Sequence, residues 1–296
     1  MKKIYQILIV VLLTIFSFYY TDKVINFIRE SDPIMKSLKE YNKSNKIDAV
    51  NAKVKGNKVT PGVYGKEVDY SKSFKKMKEY GTYNESLTVF KDVEPTISID
   101  DYYNKYIQEG SGINNDVALV FEVKNNDDIT DIVNILDKSN THATFFVDGL
   151  WLENNMDMTS NLIERGHEIE ILSYDNKYEE LYFSSSLNTV NKMTNLKPKY
   201  CYAKYDQKEV LQLCSKLGLH TIIPTITTGN YPFNDVKTKI SKGSIISFSV
   251  ISSTKIELET IINYIRQKGY DINTLDVLLN EALSVKWLIY FNWKKY

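Results

Sequence analysis

VALVFEVKNNDD, residues 117–128, is an apolar run that carries a single acid, Glu122, near its end and then breaks into a polar turn. A run without polar alternation is what a strand shows when both its faces are covered. Further runs follow at intervals: ATFFVD (143–148), EIEILS (168–173), KYCYA (199–203), HTIIPT (220–225) and SIISFSV (244–250). Between them lie helical periods such as ITDIVNILDKS (129–139) and QKEVLQLCSKLG (207–218). Strand and helix in alternation predict a parallel sheet. The number of units predicts an α/β fold, a distorted barrel of about seven strands, with functional groups at the C-terminal strand ends.

Working outward, the chain has 296 residues, 37 basic and 37 acidic side chains, and 43% hydrophobic content. That composition suits a globular body, and the balanced charge leaves no footprint for nucleic acid. At the N-terminus Lys2 and Lys3 precede an uncharged run over residues 4–20, closed by Asp22 and Lys23. No small-residue cleavage pattern follows it, so the expectation is an uncleaved transmembrane helix within residues 1–30. The positive start predicts an inside N-terminus, a single-pass protein of the cell membrane and an extracytoplasmic body.

Residues 31–113 are expected to form a small α+β stalk. Within it, Ser31 would cap a helix with Pro33 in its first turn, and Ser71 would cap a second one ending at Gly81. The barrel is placed at residues 114–283. An aromatic tail, residues 284–296, is expected to pack on it. Cys201 falls in a strand and Cys214 in a helix, which predicts two buried thiols rather than a bond.

The strand ends offer Glu122, Asp175, Asn176, Lys204 and Ser249 as polar candidates, with Lys204 a candidate ion-pair partner for Glu122. A catalytic metal site needs about three His, Asp or Glu ligands and an open position. His142, His167 and His220 do not supply it. They have no ligand spacing between them and fall at N-terminal strand ends.

VALVFEV (117–123), ATFFVDGLWLENN (143–155), LIERGHEIEILSYDNKY (162–178), GSIISFSV (243–250) and YIRQKGYDINTLDVLL (264–279) together resemble the polysaccharide deacetylases of the NodB-homology group. Residues 60–90 resemble a segment found in sporulation-associated members of that family. The resemblance implies a zinc-type ion held by an Asp and two His, a second Asp as general base, and a His as general acid. Carried over position by position, the metal Asp falls on Val123, the two His on Leu172 and Asn176, and the acid on Ser249. The arginine that orients the base falls near Cys201. The general-base position alone keeps a carboxylate, Glu122. His167 matches a structural Gly-His-Glu element.

Two functions follow. The first is a catalytically inactive deacetylase-like protein with no cofactor, binding a cell-envelope glycan or an envelope protein, with a role in sporulation. Its tyrosines and Trp151 would offer apolar faces with polar tips. The second is a carbohydrate deacetylase with a rebuilt site, using Glu122 and Asp175 around zinc or another divalent metal, with oxygen ligands favouring magnesium, calcium or manganese.

Overall fold

A computed structural model describes residues 2–195 and 197–282. The expected packing of the tail over 284–296 lies outside them. The chain divides into two compact units, one of residues 1–49 and 64–94, the other of residues 50–63 and 95–296.

The first unit contains helices Lys2–Ser31, Pro33–Asn45 and Tyr70–Tyr80 and the antiparallel pair Gly65–Val68 with Phe90–Val93. Its core gathers Ile34, Leu38, Val68 and Met77. Both helix caps differ from expectation. Ser31 belongs to the preceding helix, and Asp32 caps Pro33–Asn45 by accepting the Ile34 N–H. Asp69, not Ser71, caps Tyr70–Tyr80 by accepting the Lys72 N–H. A carboxylate satisfies an orphan N–H as a hydroxyl does and adds a favourable charge at the positive helix end. Gly81 closes that helix at φ 97°, which an L side chain adopts only under strain.

The expected transmembrane helix is corrected. Among the described residues no helix is long and apolar enough to cross a membrane. Helix Lys2–Ser31 has 30 residues, but its uncharged part, residues 4–20, extends only about 26 Å at 1.5 Å per residue against a hydrocarbon core of ~30 Å. Gln6, Thr14, Ser17 and three tyrosines dilute that stretch, and Asp22 and Lys23 end it. The single-pass location inferred from it is withdrawn.

Among the described residues the second unit carries an 11-stranded sheet, of which we number seven parallel strands β1 (Asp116–Val123), β2 (Thr144–Asp148), β3 (Glu168–Ser173), β4 (Tyr200–Tyr202), β5 (His220–Ile222), β6 (Ile226–Thr227) and β7 (Ile245–Ser249). Their order across the sheet is β5-β4-β3-β2-β1-β7-β6. Tyr106–Ile107 extends the sheet in parallel beside β5. Two residues on, Glu109 bridges Ser244 at the foot of β7, and the Gly110 N–H donates to the Gly243 carbonyl at 2.8 Å. The curled sheet is thus joined across its seam.

Alternation along the strands sorts the core into two layers. Odd positions of β1, namely Val117, Leu119, Phe121 and Val123, pack outward with the helices. Even positions Ala118 and Val120 pack inward with Phe146, Leu172, Tyr200 and Tyr202. The predicted free thiols are also corrected: Cys201 and Cys214 form a disulfide, with Cα atoms 6.1 Å apart. Cys201 is an outward position of β4, so it meets helix Lys208–Lys216, where Cys214 is buried. Closing a loop of this size contributes on the order of 3 kcal/mol through the unfolded chain.

At the N-terminal ends of the strands, Glu168 and Glu170 of β3 lie near each other. Glu168 accepts the Thr144 hydroxyl at 2.6 Å and the Asp276 N–H, while Glu170 accepts the Lys199 and Tyr200 N–H groups. Burial first, then neighbouring carboxylates, raises both above the usual carboxylate range, Glu168 to about 7. Because the folded-state value is raised, the folded chain keeps a proton that the unfolded chain has released, and stability falls as pH rises toward and through 7. His167 acts in the opposite sense: burial, then His142 and Arg165, lower it to about 4, so its contribution is lost as pH falls below its unfolded value. Comparing variant with parent isolates the first effect. Glu168→Gln is expected to raise the melting temperature by several degrees more at pH 8 than at pH 5; equal shifts at both pH values would contradict the assignment.

Candidate functional site at the strand ends

Glu122 closes the inward row of β1. It is 4% exposed. Its Oε1 accepts the Tyr202 hydroxyl at 2.7 Å and the Ser247 hydroxyl at 3.1 Å, and those two hydroxyls lie 2.8 Å apart. The partners come from β4 and β7, on opposite sides of β1 in the sheet order. Lys204 is exposed, and no hydrogen bond or ion pair joins it to Glu122 among the described contacts.

Val123 points the other way. It is fully buried in the outward layer, because neighbouring positions of a strand face opposite sides. Leu172 sits in the inward layer against the same core as Phe146 and Tyr202. Ser249 stands opposite Glu122 in the β7–β1 register and is half-buried. Asp175 and Asn176 are exposed, at φ 50° and 60°, a left-handed turn that Asp and Asn tolerate better than most residues.

That turn is held by a residue not among the candidates drawn from the sequence. Asp148, at the end of β2, is fully buried. Its Oδ1 accepts the Leu150 N–H at 3.0 Å, as cap of the following helix, and the Asp175 N–H at 2.9 Å. Its Oδ2 accepts the Ser173 hydroxyl at 2.6 Å and the Asn176 N–H at 3.0 Å. One signal was present: ATFFVD ends in an acid, as VALVFEV nearly does, and a glycine follows it at once.

Tyr178, on the loop after β3, packs against the outward core. Burial first, then the charges of Glu122 and Asp148, pushes its phenol up to about 12. Tyr174, on the same loop, stacks on Tyr182 with centroids 5.0 Å apart, and Tyr205 is 64% exposed. Trp151 does not join them, contrary to expectation: it is buried, and its Nε1–H donates to the Asp127 carbonyl at 2.8 Å.

The donor set does not fit a zinc-type ion. Two of the ligand positions are apolar and buried, and the third, Asn176, lies in an exposed turn. Among the described residues no group of three His, Cys, Asp or Glu is placed to share an ion. His142 and His167 face each other at the feet of β2 and β3, 6.1 Å between centroids, and His220 contacts Asp100 at 2.9 Å. An oxygen-ligand site on Glu122 and Asp175 meets the same obstacle: Asp175 is turned out to solvent, 4.0 Å from Lys177.

Residues 110–221 match the family described as Polysaccharide deacetylase, over the segment that contains β1 to β4 and the loop after β3. The chain carries a polysaccharide deacetylase family domain. Over 274 residues the chain is 27% identical to the uncharacterized protein YlxY of Bacillus subtilis, which covers 86% of each. Over 196 residues it is 22% identical to the peptidoglycan-N-acetylglucosamine deacetylase PgdA of Listeria monocytogenes, spanning 58% of this chain and 40% of that protein. Its fold is similar to that of BA3943 from Bacillus anthracis, a CE4 family pseudoenzyme, with TM-score 0.65 and 24% identity over 86% of this chain and 97% of that one. The deacetylase domain therefore keeps the family's scaffold while its strand-end residues depart from a metal-binding set.

Proposed function

We propose that this protein binds an envelope glycan at the strand-end mouth and does not hydrolyse it. The observation that carries this is the pair at the end of β1. Val123, at the position where the resemblance places a metal ligand, is turned into the helix-facing core, and among the described residues no group of three His, Cys, Asp or Glu stands with Glu122 to hold an ion. A general base contributes roughly 10² to 10⁴ in rate. Enzymes supply about 10⁶-fold or more over the uncatalysed reaction, so the base alone falls well short.

Two further facts support the reading. BA3943, of similar fold, is a pseudoenzyme, and a mutant of it has restored enzymatic activity, so this scaffold exists in a non-catalytic form. The exposed Tyr205 and the Tyr174–Tyr182 stack offer aromatic faces of the kind that pack on sugar rings. The sporulation role implied by the resemblance belongs to the same proposal.

Co-sedimentation with insoluble peptidoglycan, native and de-N-acetylated, tests it while released acetate is monitored. The expected result is protein in the pellet of at least one preparation, with acetate no higher than without protein. Protein that stays in solution with both would overturn the glycan reading, and acetate release would overturn the non-hydrolytic one.

A further inference from the structure

The bonds of Glu122 define what the mouth would hold. Both hydroxyl donors end on Oε1, and no described residue donates to Oε2. Ser247 stands opposite Val120 in the β7–β1 register, one pleat deeper than Glu122. Oε1 is therefore drawn inward, and Oε2 is left on the strand-end side. Glu122 is almost wholly buried, and the donors described for it reach Oε1.

The partners supply dipoles and no positive charge. Tyr202 and Ser247 are neutral hydroxyls, and the second buried carboxylate, Asp148, is occupied by N–H and hydroxyl donors. The charges of Glu122 and Asp148 both act on the Tyr178 phenol, after burial as the first cause. Asp127 is raised first by burial and, to a smaller degree, by the charge of Glu122, against the lowering effect of Lys124 and Lys255. Lys204, after β4, is exposed and bonded to none of these acids among the described contacts, while Lys124, directly after β1, and Lys255 lie close enough to Asp127 to act on it.

Resting on the glycan reading above, we infer that the mouth selects de-N-acetylated amino sugars, whose primary ammonium would donate to Glu122 Oε2. An N⁺–H···O⁻ bond is roughly twice as strong as a neutral one. The described hydrogen bonds to Glu122 come from neutral hydroxyls, so the ammonium would meet a carboxylate that no described ion pair already holds. An N-acetyl group removes that charge and adds bulk at the same nitrogen. The exposed ring of Tyr205 would pack on the adjoining sugar.

Isothermal titration of the full chain at pH 6 with the glucosamine tetramer and, separately, with the N-acetylglucosamine tetramer tests the inference. The expected result is at least about tenfold tighter binding of the glucosamine tetramer, from a charge-assisted bond of ~1.5 kcal/mol. Glu122→Gln keeps the shape and the hydroxyl bonds, and is expected to abolish that preference. Equal or tighter binding of the N-acetylated tetramer would overturn the ammonium inference and leave the glycan reading standing. Binding of neither would overturn both. A preference that survives in Glu122→Gln would also overturn the inference, since the amine would then be held elsewhere. If Glu122→Gln fails to fold, the preference of the unaltered chain decides alone.

Discussion

Asp148→Ala is expected to lower the melting temperature by roughly 10 °C, the largest effect of any single strand-end substitution. Asp148, itself fully buried, takes four donors, two of them from the Asp175–Asn176 turn. Removing it takes away a helix cap, worth about 0.5–2 kcal/mol. It also leaves buried donors unpaired, at about 1–3 kcal/mol for each that finds no water. The turn residues, exposed in part, recover some hydration, so a net loss of about 3–5 kcal/mol is expected, at ~2–4 °C per kcal/mol for a body of this size. Asp148→Asn should fall between, because its amide keeps one acceptor but sets an NH₂ group against an N–H or hydroxyl donor. Thermal unfolding by circular dichroism decides; a loss under about 2 °C for Asp148→Ala would show that the four bonds do not hold the turn.

The neighbouring glycine gives the second large effect. A Cβ at Gly149 would overlap the Ser186 hydroxyl and come within 2.5 Å of Tyr174 Cδ2. Helix Glu180–Thr194, which carries Ser186, would have to move away from β2 and β3 to admit it. Overpacking of this kind costs about 1–3 kcal/mol. Gly149→Ala is expected to cost near the top of that range, because two groups must yield at once, and to loosen the Tyr174–Tyr182 stack. Adding Ser186→Ala removes one of the two obstructions and should restore part of the loss. If the double variant melts no higher than Gly149→Ala, the helix is not what the new methyl group meets.

Much of the fold could be read from VALVFEV, ATFFVD and SIISFSV, because strands buried on both faces leave uninterrupted apolar runs. The period-2 alternation of a strand also separates Glu122 from Val123 on sequence grounds alone: one of the two had to face the helices. The partners of Glu122 were not legible in the same way. Tyr202 and Ser247 lie 80 and 125 residues away, and only the strand order brings them together. Asp148 was missed because an acid before a helix reads as a cap, and the cap is only one of its four bonds. The disulfide failed for a related reason, since whether a strand cysteine meets a helix cysteine depends on which face each occupies. The N-terminal run misled through its lack of charge; length and hydropathy, not charge alone, decide whether a helix spans a bilayer.

The departure of Val123, Leu172 and Asn176 from a ligand set is the central support for the proposed role, binding without hydrolysis. It is tested most directly by metal analysis of the full chain after incubation with zinc and exhaustive dialysis, with acetate release from an N-acetylglucosamine oligomer measured on the same sample. The expected result is far less than one retained ion per chain and no acetate above the blank. One ion per chain together with acetate release that disappears in Glu122→Gln would contradict it.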